Sequence, residues 1–238
     1  MTLRSTTTEK QISSKGFGAA MIYKTLRNEI LSLALQPSEL LDETRLATRF
    51  GVSRSPVREA MVRLVAESLL QTLPNKGTIV APLRIEEFPQ YVDAIDLIQR
   101  TVTRLAAIKR TDEELFQIKE EQRKYAVHVE AGNLLGMIQG NSDFHMAIAS
   151  AANNRYLEQT YLKLLAEGQR PMRLYFERYN NVFPPQMIDH HELMITAIEM
   201  QDADLAERLA RKHTTEMQNS FLKYLGSRQT SDISVAFL

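Results

Sequence analysis

Arg54 and Arg58 stand four residues apart in the stretch ETRLATRFGVSRSPVREAMVRL, so on a helix their guanidinium groups leave from one face. A guanidinium fork matches the O6/N7 edge of guanine or a phosphate, and the N-terminus of a helix adds backbone N–H donors for phosphate oxygens. An isolated pair of this spacing reads more simply as two solvated side chains. Here the surrounding pattern selects DNA. Leu46, Ala47 and Phe50 mark the buried side of a first helix, Gly51 and Val52 a turn, and Val57 and Ala60 the buried side of a second. A small residue at Ala47 lets the helices cross closely, Gly51 tolerates a positive φ, and Val52 and Val57 seal the space between them. Ser53 or Ser55 can cap the second helix, and Pro56 is acceptable in its first turn. These are the parts of a helix-turn-helix. Arg45, Arg49 and Arg63 either touch phosphates or only solubilise.

The elements that must hold this face follow from periodicity. From Phe17 to Leu35 apolar residues recur at helical spacing, and helices are expected over Glu43 to Phe50 and Arg54 to Ser68. Gln71 to Leu73 and Thr78 to Ala81 are β-prone runs around Pro74-Asn75-Lys76-Gly77, which predicts a hairpin wing with Lys76 and Gly77 at its tip. Lysine there steers toward the sugar-phosphate backbone and glycine permits close approach. After Pro82 the pattern is helical throughout: Ile85 to Lys109, Asp112 to Glu130 behind a Thr111/Glu114 capping box, Leu134 to Ala152, Tyr156 to Tyr179, Gln186 to Met200 and Asp202 to Tyr224. The expected fold is mainly α. A winged helix-turn-helix (17–82) of three helices plus a small β-hairpin wing precedes an all-α helical bundle (83–226), with a disordered tail over 1–16 and a C-terminal tail over 227–238.

Composition narrows the chemistry. The chain has 238 residues, 44% hydrophobic and 24% charged, and contains no cysteine, which removes disulfides, thiolate metal sites and cysteine nucleophiles. Formal net charge is zero, so nucleic-acid binding must be argued locally. Without a signal-like apolar run at the start, and without a stretch of ~20 apolar residues anywhere, no membrane span is expected, and the expected compartment is the cytoplasm. There is no HExxH, no nucleophile motif and no phosphate-binding glycine loop, so the chain is not expected to be an enzyme.

The run GVSRSPVREAMVRL followed by LLQTLPNKGTIVAP resembles the GntR family of transcriptional regulators, and the helical remainder resembles the ligand-sensing FCD domain of its FadR-like branch. The resemblance spans about Phe17 to Gly226. It implies DNA contacts from Arg54 and Arg58, with Ser53 and Ser55 nearby and Gly77 at the wing tip, and a homodimer on a palindromic double-stranded operator. One departure lies in the motif L-x-E-R-x-L-A, where Thr44 replaces the usual arginine; that contact is missing or is made by Arg45.

The resemblance also gives three of the five histidines a role. His145, His191 and His213 fall where sensing domains of this branch carry metal ligands, and Asn141, one turn before His145, stands in the usual place of an aspartate. Three neutral imidazoles and one oxygen donor suit Zn²⁺ or Ni²⁺. His191 is preferred over its neighbour His190 for its spacing to Ala197 and Ile198, and His128 is expected to be exposed and without a partner. The implied effector is a small organic acid, held by its carboxylate. Where many members carry arginine and glutamate on the first sensing helix this chain has Ile95 and Gln99, so Arg173 is the substitute candidate for the carboxylate, with Tyr175, Phe176 and Tyr179 as candidate pocket aromatics. The resulting expectation is a repressor released by its effector. Two alternatives remain: a regulator for which the ion is the signal, and a metal-dependent enzyme.

Overall fold

The computed structural model describes residues 7–74, 76–177 and 186–231. The chain divides into two compact units, Met1–Leu83 and Arg84–Leu238.

In the first unit the elements are α1 (Thr7–Leu31), β1 (Leu40–Leu41), α2 (Glu43–Phe50), α3 (Arg54–Ala66), β2 (Leu70–Leu73) and β3 (Gly77–Val80). Ile22, Leu26 and Ile30 recur every four residues along α1 and are fully buried against α3, which presents Val57, Ala60, Met61 and Leu64. This one apolar seam fixes α3 with its opposite face in solvent. α1 starts at Thr7 and not near Phe17: residues 7–16, expected as part of a disordered tail, are helical, and they lack the apolar periodicity by which a helix is read. Residues 1–6 of that tail lie outside the described residues.

Asp42 caps α2, its carboxylate accepting from the Arg45 N–H at 2.7 Å. Gly51 ends α2 in the left-handed region at φ 64°, which a Cβ would disfavour. Of the two serines expected to cap α3, Ser53 occupies the N-cap, but its hydroxyl makes no capping bond. The wing is also larger than a hairpin. β3 pairs antiparallel with β2 (Thr72 opposite Thr78) and on its other edge with β1 (Leu40 opposite Ile79), giving the order β1-β3-β2. A two-residue strand is too short to show alternation, so β1 leaves no sequence signal.

In the second unit a 3₁₀ turn at Ile85–Glu87 leads into α4 (Phe88–Lys109), followed by α5 (Asp112–Glu130), α6 (Leu134–Ala151), α7 (Arg155–Glu177), α8 (Gln186–Glu199) and α9 (Ala203–Ser231). α9 thus runs past Gly226 into the expected tail, whose residues 232–238 lie outside the described residues, as do 178–185 at the expected end of α7. The Thr111 capping box is formed: its hydroxyl accepts from the Glu114 N–H at 3.2 Å, and the Glu114 carboxylate accepts from the Thr111 N–H at 2.7 Å. α4 lies along α9 and also touches α6, α7 and α8, while α5 packs on α6 and α8. The core between them, with Val102, Ala106, Ile118, Phe144, Ile148, Tyr161, Met194 and Ile198, is closed. Gly168 lets α7 approach α4, because a Cβ there would overlap the Tyr91 hydroxyl, which instead donates to the Leu164 carbonyl at 3.2 Å. No helix among the described residues is long and apolar enough to cross a membrane.

Candidate functional site

The exposed face of α3 carries Arg54 and Arg58, with side chains 59% and 60% accessible. Both reach the same carboxylate. Glu43, the first residue of α2, accepts from Arg54 at 3.0 Å and from Arg58 through both oxygens, at 3.0 and 2.7 Å. These bonds, the Arg58 bond first, hold the Glu43 carboxyl down to about 2. Sequence reading missed Glu43, because a pairing across two helices has no periodic signature. Ser53, Ser55, Lys76 and Gly77 are all exposed in the same unit, as are Thr44 and Arg45. Gly77 has φ 88°, a left-handed conformation at the entry to β3 that favours glycine there. Arg49 and Arg63 are engaged inside the unit, Arg49 with Glu29 and Arg63 4.0 Å over the Tyr23 ring.

In the second unit His145 on α6, His191 on α8 and His213 on α9 are buried together. Their ring centroids form a near-equilateral triangle of 5.1, 5.3 and 5.1 Å. One ring nitrogen from each lies within 4.8 Å of the other two. On an ion bound at Zn–N distances the nitrogens would sit ~3.3 Å apart, so modest rotations close the set. His191 Nδ1 lies 2.9 Å from Gln122 Oε1, an acceptor, which makes Nδ1 the protonated nitrogen and leaves Nε2 bare. Gln122 is held in turn through its Nε2, which donates to the Ile188 carbonyl at 3.4 Å. His191 Nε2 and His213 Nδ1 are buried without a hydrogen-bond partner. Burial pushes all three imidazoles toward the neutral, ligating form, His213 down to about 4 and the other two well below their ordinary value. Buried bare nitrogens that stay neutral are the donor set a borderline divalent cation requires. The residues therefore fit such an ion.

The other two histidines are not part of the triangle, although the His190 ring lies edge-on to His213 at 5.9 Å. His190 Nε2 meets the Glu216 carboxylate at 2.9 Å. His128, expected to be exposed and partnerless, is half-buried with its Nδ1 3.3 Å from Asn133 Nδ2, because Gly136 leaves room for its ring.

Beside the triangle is a cavity of about 100 Å³ walled by α4, α6, α7 and α9. By the same measure one water needs roughly 10–15 Å³, so it has room for a small molecule. Asn141, His145 and His213 line it, and so do Ile95 and Gln99. Gln99 is already occupied, its Oε1 accepting from the Tyr161 hydroxyl at 3.1 Å and its Nε2 donating to the Ala210 carbonyl at 3.5 Å. Arg173 is not in the cavity wall; α7 contributes Leu165, Gly168, Gln169, Pro171 and Met172 instead. Phe176 packs in a core cluster with Tyr125, Val129 and Phe221. The Tyr175 side chain and Tyr179 lie outside the described residues.

The family model for the FCD domain matches residues 90–216, and the model for bacterial regulatory proteins of the gntR family matches residues 19–80. The chain is 27% identical over 215 residues to the HTH-type transcriptional repressor RspR of Escherichia coli, covering 90% of this chain and 93% of that protein. It is 27% identical over 209 residues to the HTH-type transcriptional regulator LutR of Bacillus subtilis, covering 80% and 94%. Among solved structures, E. coli McbR/YncC superposes with a TM-score of 0.72 at 21% identity, over 87% of this chain and 98% of that one. A GntR-family regulator from Pseudomonas syringae superposes at 0.53 and 25% identity, over 91% and 89%.

Proposed function

This chain belongs to the GntR family of bacterial regulatory proteins with an FCD domain, and from that premise we propose that it is a repressor whose hold on a palindromic operator is set by a small carboxylate bound at a metal-containing cavity. That it is a transcriptional regulator, and not an enzyme, follows from the family and from its relatives. The winged helix-turn-helix implies DNA binding and the FCD domain implies a small-molecule effector.

The finer reading rests on one observation: three buried neutral imidazoles, with ring nitrogens within 4.8 Å of one another, two of them lining the cavity. His145, His191 and His213 would hold Zn²⁺ or Ni²⁺, with Asn141 offering an oxygen in place of a carboxylate. The bound ion supplies a fixed positive charge to an otherwise neutral wall. The protein acts as a cytoplasmic homodimer, two copies of α3 entering successive major grooves through Arg54 and Arg58, with Lys76 and Gly77 at the flanking backbone. The effector favours a state with lower operator affinity.

A rival reading, in which the ion is itself the signal, draws on His191, the one candidate ligand that does not line the cavity. Operator titrations with metal and acids varied separately discriminate the two. The effector reading expects release by an acid in the metal-loaded protein; loss of DNA binding on chelation alone, with no acid having any effect, selects the rival. In the same assay Arg54→Ala and Arg58→Ala should each weaken specific binding by roughly 1–3 kcal/mol, and unchanged affinity in both removes the assigned reading face.

A further inference from the structure

We propose that the cavity takes a monocarboxylate with an apolar body and rejects di- and tricarboxylates; the inference rests on the metal-assisted carboxylate reading above and adds to it the class of acid.

Charge comes first. Among the described residues that line the cavity there is no lysine, arginine, aspartate or glutamate. On α4 the wall is Ile95 and Gln99, both uncharged. Most of the neutral polar groups already have partners: Gln99 with Tyr161 and Ala210, Gln169 with Ser142 at 3.0 Å, and Thr214 with the Ala210 carbonyl at 3.2 Å. Asn141, His145 and His213 remain at the histidine end as a head-group site, and Gln218 lies five residues further along α9.

Direction comes second. α4 and α9 run antiparallel along the cavity, since Gln99 meets Ala210 near one end and Phe88 meets Phe221 at the other, with ring centroids 4.3 Å apart. From His213 the wall continues on α9 through Met217 to Phe221, and from Gln99 on α4 through Ile95 and Val92 to Phe88. Eight helical residues from 213 to 221 rise ~12 Å. The cavity is therefore polar at the histidines and mostly apolar toward the aromatic pair, where the polar lining side chains are Tyr91, bonded to the Leu164 carbonyl, and the neutral Gln218. A carboxylate placed at the histidine end leaves the rest of the ligand against apolar groups. A second carboxylate at the far end would be stripped of water with no cation among the described lining residues to meet it, which burial does not tolerate.

The experiment is calorimetric titration of the full-length zinc-loaded protein with hexanoate, adipate and hexanamide, which share six carbons and differ in charge at each end. Hexanoate should bind at least ~100-fold tighter than adipate, a ratio well beyond ligand-to-ligand scatter, and hexanamide should fall below hexanoate for want of the charged head. Adipate binding as tightly as hexanoate overturns the proposal, and so does zinc binding accompanied by neither acid. The metal reading fails separately, if zinc produces no rise in melting temperature that His213→Ala abolishes, or if hexanoate binding survives chelation unchanged. Ile95→Arg puts a cation into the apolar half and should narrow the hexanoate-to-adipate ratio at least tenfold; the wild-type comparison stands whether or not that variant folds.

Discussion

At the scale of single residues, Glu43 changes what the two arginines proposed to read DNA are. Each guanidinium faces solvent, yet both are tied to one carboxylate, so their fork directions are set before DNA arrives. Glu43→Gln keeps the size and removes the charge. It should lower the ratio of operator to random-sequence affinity and steepen the slope of log affinity against log salt by about one, as a freed arginine takes up a phosphate. Titrations on both DNAs across salt check this; an unchanged slope and ratio would leave Glu43 a merely structural cap. Its depressed carboxyl contributes stability that is fully present above the ordinary carboxylate range and is lost only as pH falls toward about 2. The histidines behave differently. Their folded pKa values lie below the unfolded one, so the unfolded chain binds protons first, and stability is lost as pH falls from ~6.5 toward the His213 value of about 4. Denaturant unfolding of chelated protein at pH 7.5, 6 and 5 should show a falling midpoint, with a shallower fall in His213→Gln. The arginines were legible because helix-turn-helix chemistry is local. The triangle was legible only through resemblance, since three histidines on three helices share no spacing that points to one place.

At the scale of elements, glycine positions carry two tests. Gly51 sits at φ 64° with open space around a hypothetical Cβ, so Gly51→Ala should cost about 1 kcal/mol in the first unit through backbone strain alone, measured as a shift in denaturation midpoint. Gly168→Ala instead meets the Tyr91 hydroxyl, so it should destabilise the packing of α7 on α4, by ~1–3 kcal/mol, and Tyr91→Phe should recover part of that loss. If the double variant is as unstable as Gly168→Ala, the hydroxyl is not the obstacle. Gly51 was readable from its place after Phe50. The Tyr91 contact was not, because it joins residues 77 apart in the chain and involves a glycine inside a helix, where sequence shows only a weak helix former. The wing shows the same limit: β2 and β3 declared themselves through the intervening turn, whereas β1 exists only because β3 has a free edge to pair.

At the scale of the whole molecule, the zero net charge conceals a division. The first unit, residues 1–83, holds eleven Lys and Arg against seven Asp and Glu, a net of +4, and the second the remaining eighteen against twenty-two, a net of −4. The unit whose family implies DNA binding is the positive one. All the candidate metal ligands lie in the other, so zinc should slow amide exchange in residues 84–238 while operator DNA slows it in residues 1–83; zinc protection appearing first in α3 would contradict this placement. Glu43 sits where these two kinds of attraction are weighed. A bacterial chromosome offers ~10⁶ or more decoy sites for each operator, and two unmasked arginines would detain the protein at every one of them. If Arg54 and Arg58 read the operator as proposed, a carboxylate between them would cancel part of that indiscriminate pull while holding the donors in place, so each wrong stop should be briefer than in Glu43→Gln.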